Sequence, residues 1–158
     1  MIDNMIPLQT VTQSLIDLTR AESLALLGSV PVGRLAHAHE VFPCIRPVNF
    51  VLQPDGIYLR TADDGEVLQL AQDRAQVVFE ADSYDSTAKF GWSVVVLGQL
   101  ERVVEPLALR WLADSALCTW ADDRREVVRV SLGQVSGRRA GGPVAHPPTT
   151  NELAAPQR

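Results

Sequence analysis

Apolar positions in this chain recur with two different periods. Val32-Gly33-Arg34-Leu35-Ala36-His37-Ala38 alternates as a half-buried strand does, and residues 41–52 continue as a second, longer strand. Pro54-Asp55-Gly56 carries the turn chemistry that joins it to residues 57–61 as a hairpin. Residues 76–81 and 126–132 read as further strands. Residues 91–104 are too β-branched for a helix and too long for one flat strand, so they are expected to bend near Gly98, as strands do at barrel corners.

The helical stretches are short. Thr19-Arg20-Ala21-Glu22 forms a capping box, which predicts a helix over 20–28 with Leu24, Leu26 and Leu27 facing inward. Asp63-Asp64-Gly65 opens another, with Val67, Leu68 and Leu70 inward, and Pro106 begins a third whose apolar face is Leu107, Leu109, Trp111, Leu112 and Leu117. Residues 82–89 read as a polar loop. The expected fold is mainly β with peripheral helices: an antiparallel sheet of about six strands curved into a small closed or partly closed barrel. Residues 1–18 are read as an N-terminal extension, 19–139 as one domain, and 140–158, rich in Gly, Pro, Ala and Thr, as a disordered tail.

At 158 residues and 46% hydrophobic content, one core is sufficient. A net charge of −5 with only 6% aromatic residues argues against nucleic acid or an anionic membrane as the main partner. With no apolar run long enough to span a bilayer and no signal-peptide pattern at the start, the expected location is the cytoplasm. Cys44 and Cys118 are expected to be buried thiols, not a disulfide or metal pair.

Arg46 interrupts an apolar strand and Arg60 follows across the hairpin turn, in Ile57-Tyr58-Leu59-Arg60-Thr61. A guanidinium in a core-like run is costly unless it meets an opposite charge, so the pair suggests a bound anion such as phosphate. The bland alternative is that both face solvent or pair with Glu80 or Asp82. Lys89 is the sole lysine among fourteen basic residues, so an anion site must rest mainly on arginine forks or backbone N–H groups.

The order and spacing of several motifs extend this reading: Val32-Gly33-Arg34-Leu35-Ala36, Pro43 with Arg46-Pro47-Val48-Asn49-Phe50, Tyr58-Leu59-Arg60-Thr61 with Gly65, Phe79-Glu80 with Asp82, residues 91–98, and Ser136-Gly137-Arg138-Arg139. From about Thr19 to Arg139 the chain resembles the actinobacterial branch of the pyridoxamine 5′-phosphate oxidase-like proteins, the flavin-binding split barrels. The resemblance implies a homodimer with flavin mononucleotide (FMN) at the subunit interface and an oxidoreductase acting on a small molecule. It implies Arg46, Arg60 and Thr61 as phosphate contacts, backbone groups of Pro47, Val48 and Asn49 along the ring edge, Trp92 and Ser93 near the ring or phosphate, and Arg138 reaching over from the partner. A deazaflavin is the alternative cofactor. Family members usually carry Gly-x-Lys after the Arg-Thr pair, whereas this chain has Gly65-Glu66-Val67. Losing one charge-assisted contact of about 1.5–3 kcal/mol corresponds to roughly ten- to a hundredfold in affinity. A flavin-free split barrel binding another small molecule, as carrier, sensor or non-redox enzyme, therefore stays open.

The remaining candidates are weaker. Trp92 also reads as a core aromatic, and Asn49 as an inter-strand hydrogen-bonding residue. His37 and His39 share a strand face, as metal or haem ligands sometimes do, but no third ligand stands at a telling spacing, and a solvated face is the expected reading. No metal site is expected and haem is the least supported cofactor. Asp63-Asp64 and Asp122-Asp123 read as helix-start and loop acids, His146 has no evident role, and no residue is singled out as catalytic.

Overall fold

The computed structural model describes residues 15–39, 42–62, 65–87, 89–113 and 126–140. Expectations about Val41, Asp63, Asp64, Cys118, Asp122, Asp123, His146 and both termini lie outside the described residues. The elements are β1 (Leu15–Leu18), α1 (Arg20–Leu27), β2 (Val32–His39), β3 (Phe42–Gln53), β4 (Gly56–Thr61), α2 (Glu66–Gln72), β5 (Gln76–Asp85), β6 (Phe90–Arg102), α3 (Pro106–Ala113), β7 (Glu126–Ser131) and β8 (Gln134–Ala140). All strand pairings are antiparallel, in the order β1-β8-β6-β5-β2-β3-β4-β7, and a β6–β7 pairing closes six of the strands into a barrel.

Closure depends on two long strands that change partners. β3 pairs with β2 from Phe42 to Asn49 and with β4 from Phe50 onward. β6 pairs with β8 up to Leu97 and with β7 from Leu100. The expected corner at Gly98 lies between these pairings, where a Cβ would stand 2.0 Å from the Ser131 carbonyl oxygen. Only a residue without a side chain lets the two backbones approach that closely. Inside, Leu35, Phe79, Ile57, Leu59, Val94, Val96, Leu100, Val128 and Val130 are almost fully buried, with Phe50 set edge-on to Phe79 at a centroid distance of 4.9 Å.

The capping box of α1 forms as expected, with Thr19 Oγ1 accepting from the Glu22 N–H and Glu22 accepting from the Thr19 N–H. Three expectations are corrected. β1 and β8 are strands that periodicity did not reveal; they pair with each other outside the closed barrel, with β8 lying against β6. The polar stretch 82–89 is mostly strand, because β5 runs to Asp85 and β6 starts at Phe90. On α3, Leu112 is buried and Ala108 and Leu109 pack against Tyr58, Val103 and Val127, while Leu107 and Trp111 are exposed. Among the described residues no helix is long and apolar enough to cross a membrane.

β4, β6 and β7 are also tied by charge. Arg129 on β7 donates to Asp55 and to Glu101 on β6, each at 2.7 Å, and the Tyr58 hydroxyl donates to Asp55 at 2.7 Å. Partial burial opposes ionisation of Asp55, but the Tyr58 and Arg129 bonds outweigh it and hold the carboxyl below its ordinary 3.8. A depressed carboxyl pKa means stabilisation that is complete above the unfolded value and lost as the pH falls through the folded one. Asp55→Asn is therefore expected to lower the urea midpoint at neutral pH, with the difference from wild type narrowing once the pH is taken below 3.8; a gap that does not change with pH would refute the assignment. Gly98→Ala is expected to cost about 2–3 kcal/mol in the same assay, since the added methyl meets backbone. Gly28→Ala is the control: at φ −69° with 3.5 Å to its nearest neighbours, it should be close to neutral.

Candidate functional site

Antiparallel partners share a face of the sheet, so the register of β2 and β3 decides which groups meet. Leu35 opposes Arg46 and His37 opposes Cys44. Leu35 is fully buried, so alternation carries His37, His39, Cys44 and Arg46 on that same side, beyond the packed core. The first residue of α2, Glu66, meets them there.

Glu66 is the common partner of this group. Its Oε2 accepts from Arg46 Nη2 at 2.5 Å, while Oε1 is hydrogen-bonded to His39 Nδ1 and lies 3.7 Å from His37 Nδ1. Desolvation raises the Glu66 pKa, but the His39 bond and the charges of His37, His39 and Arg46 together bring it below the ordinary carboxylate range. Arg46 is hydrogen-bonded to Cys44 as well as to Glu66; the Cys44 contact is the larger influence raising its pKa, against partial burial. The two histidines differ from the expected solvated face. His39 is exposed, but the His37 side chain is only 1% exposed, with Glu66 at the start of α2 3.7 Å from its Nδ1. The anticipated pairing of the β3 and β4 arginines with Glu80 or Asp82 is not found either: Arg34 on β2 takes both, at 2.8 and 2.5 Å.

Five of the sequence-predicted site residues meet at one cleft. Arg46, Pro47, Val48, Arg60 and Thr61 line it together with Glu66 and Val67, around a volume of about 130 Å³. Thr61 and Val48 are buried. The two arginines reach the cleft from opposite faces of the hairpin, since Arg46 alternates with buried Phe50 and Arg60 with buried Leu59. Arg60 turns outward under α3 and donates to the Leu112 carbonyl at 3.3 Å, near the helix C-terminus, where a cation is favourable. Its Nε is buried with no hydrogen-bond partner among the described residues. Asn49 is half-buried beside this group.

The other three are placed elsewhere in the chain. Trp92 alternates with Val94 and Val96 and joins the core, 8% exposed. Ser93 and Arg138 are exposed register partners on β6 and β8, and Arg138 donates to Asp17 at 3.1 Å. The strands β5 and β2 stand between them and the β3 cleft. Sequence reasoning preferred a solvated face for His37 and a plain buried thiol for Cys44, and it gave Glu66 no site role. The i, i+2 histidines and the acid beside the missing lysine were the available signals; the opposition of Cys44 to His37 needs the register.

A six-stranded antiparallel barrel with an arginine-lined cleft at its β3–β4 corner defines a split-barrel protein. A family model described as pyridoxamine 5′-phosphate oxidase matches residues 19–139, and the chain belongs to that family. The uncharacterized protein Rv0080 of Mycobacterium tuberculosis is 34% identical over 98 residues, which cover 60% of this chain and 64% of that protein's length. Among solved structures, the FAD binding protein from Mycobacterium smegmatis superposes with a TM-score of 0.67 at 31% identity, covering 80% of this chain and 98% of the other. A protein from Corynebacterium glutamicum assigned as a pyridoxamine 5′-phosphate oxidase gives 0.65 at 28% identity, covering 79% and 92%.

Arg60 has a structural duty at α3 apart from any ligand. Arg60→Ala is expected to lower unfolding free energy by about 1–2 kcal/mol through loss of the Leu112 contact, measured by chemical denaturation without added ligand; unchanged stability would remove that duty.

Proposed function

We propose that the protein is a flavin-dependent oxidoreductase acting on a small molecule, with the phosphate of the flavin nucleotide held in the cleft of Arg46, Arg60 and Thr61. The observation that carries this reading is the donor set itself. Arg46, Arg60 and Thr61 line one cleft, and the Arg60 Nε, although its Nη2 is turned to the Leu112 carbonyl, is a buried donor with no acceptor among the described residues. The 31% identical neighbour is an FAD binding protein, which supports a flavin in general, and the phosphate next to the riboflavin moiety is common to FMN and FAD.

Size supports a shared site. About 130 Å³ is far below the roughly 300–1,000 Å³ of a complete small-molecule pocket, so this cleft by itself offers room for the phosphate and little more. The outer face of β3, β2, β5 and β6 carries Ile45, Ala36, Val78 and Leu97 in one cross-strand row, with Ile45 64% and Leu97 43% exposed. An apolar row of this kind suits a second copy of the chain, and the expected homodimer would complete the ring site from there. Ser93 and Arg138, on the same sheet but remote from the cleft of their own chain, fit this arrangement as groups offered to the partner's cofactor.

When bound, the flavin ring supplies the hydride or electron transfer. The chain's own part is to bind and orient. Arg46 must give up Glu66 to take the phosphate, and the buried Val67 provides no cation where the family's lysine would stand. These two features favour a second reading, a split barrel that binds a different small anion without flavin.

Titration of the purified full chain with FMN, FAD and the deazaflavin separates the readings. Binding of a flavin at micromolar concentration is expected, weakened at least about tenfold in Arg46→Ala and tightened in Glu66→Gln, which releases Arg46. No binding of any of the three, or equal affinity in Arg46→Ala, would favour the flavin-free reading. A Soret band in the purified protein would point to haem instead.

A further inference from the structure

A buried imidazole, a thiol and a carboxylate meet at the end of β2 and β3, and none of the preceding function uses all three. A ring nitrogen of His37, the Sγ of Cys44 and a carboxylate oxygen of Glu66 all lie within 4.8 Å of one another. His37 and Cys44 are direct register partners, so the sheet fixes their approach, and α2 brings Glu66 over both. The His37 Nδ1 lies 3.1 Å from the Ala38 carbonyl and 3.7 Å from Glu66 Oε1. The ring's Nε2 is buried with no hydrogen-bond partner among the described residues, in a side chain only 1% exposed. A buried imidazole whose hydrogen-bonding capacity is only partly used is the exception in folded proteins and calls for a missing partner.

We propose that His37, Cys44 and Glu66 form a binding site for a divalent transition metal, with Zn²⁺ the best match to a nitrogen, sulfur and oxygen donor set. Zn²⁺ takes imidazole, thiolate and carboxylate together, and three protein ligands leave a fourth position for water or a small ligand. The surroundings are those of a supported site. Ligating carboxylates are themselves usually hydrogen-bonded, and the Glu66 carboxylate is held by both His39 and Arg46. Arg46, which now bridges Glu66 and Cys44, is the resident cation. Arg46 as placed donates to the Glu66 carboxylate, whereas a metal ion takes electron pairs from nitrogen, sulfur and oxygen donors together. On binding, the S–H bond of Cys44 breaks, a sulfur–metal bond forms, the proton passes to solvent, and Arg46 is freed. The site does not require that the neighbouring cleft hold a flavin.

The test uses the full-length, tag-free and flavin-free chain, so that its failure is independent of the flavin titrations. Calorimetry should give one Zn²⁺ per chain, and Co²⁺ in its place should give a thiolate-to-cobalt charge-transfer band. Loss of an outer-layer contact alone costs about 10–100-fold in metal affinity, so Cys44→Ser and His37→Gln should each weaken Zn²⁺ binding by at least about a hundredfold, and Cys44→Ser should abolish the cobalt band. Circular dichroism checks each variant's fold. If His37→Gln does not fold, Cys44→Ser and Glu66→Gln decide the matter. No Zn²⁺ binding by the folded wild-type chain, no thiolate–cobalt band, or wild-type affinity in Cys44→Ser would each overturn the proposal.

Discussion

The close backbone crossing at Gly98 is the constraint from which the rest of the molecule follows. β6 can serve β5 along its length, β8 on one side and β7 beyond the corner only if its backbone passes within van der Waals contact of Ser131, and any side chain at Gly98 would occupy that space. Closure through β6–β7 fixes the curvature of the opposite corner, where β3 leaves β2 for β4. The ends of β2 and β3 then extend past the packed interior. Their inward-facing positions are no longer filled from across the barrel, and polar groups can occupy them.

That geometry explains why the charged and titratable side chains gather where they do. Leu35 and Phe50 still face the core, whereas His37, Cys44 and Arg46, on the same face, look toward the first turn of α2. Glu66 sits at the helix start, where a carboxylate is favoured by the backbone dipole as well as by its cationic neighbours. The next residue, Val67, turns into the core with Leu68 and Ala71. Two consecutive residues of one helix therefore divide between an electrostatic role and a packing role.

The barrel was legible from local chemistry because its devices are local: the Thr19–Glu22 capping box, the Pro54-Asp55-Gly56 turn, the alternation in β2 and the glycine interrupting β6. β8 was not legible, since Ser136-Gly137-Arg138-Arg139 is strand by virtue of β6 beside it, and its composition is that of a loop. The same distinction governs the site. Arg46, Arg60 and Thr61 stand out as types in the sequence, and they share a cleft. That Arg60 points away toward α3, that Arg34 takes Glu80 and Asp82, and that Cys44 opposes His37 are facts of register and of parity along β4. A one-residue slip would reverse all of them, and no side-chain pattern within a single segment encodes it.

The departure from the family's usual motif gains a physical meaning from this arrangement. On the proposed phosphate reading, Val67 leaves the cleft without the lysine that the resemblance implies there, and the adjacent Glu66 engages Arg46. Both changes make the cleft a weaker anion site. The same glutamate, beside a buried imidazole and a thiol, makes the neighbouring space a better cation site. The two effects are coupled through Arg46, which cannot serve Glu66 and a phosphate fully at once. A cation that takes over Glu66 and Cys44 would return Arg46 to the anion cleft, so occupancy of one site should favour occupancy of the other by mass action, with no change in the barrel required.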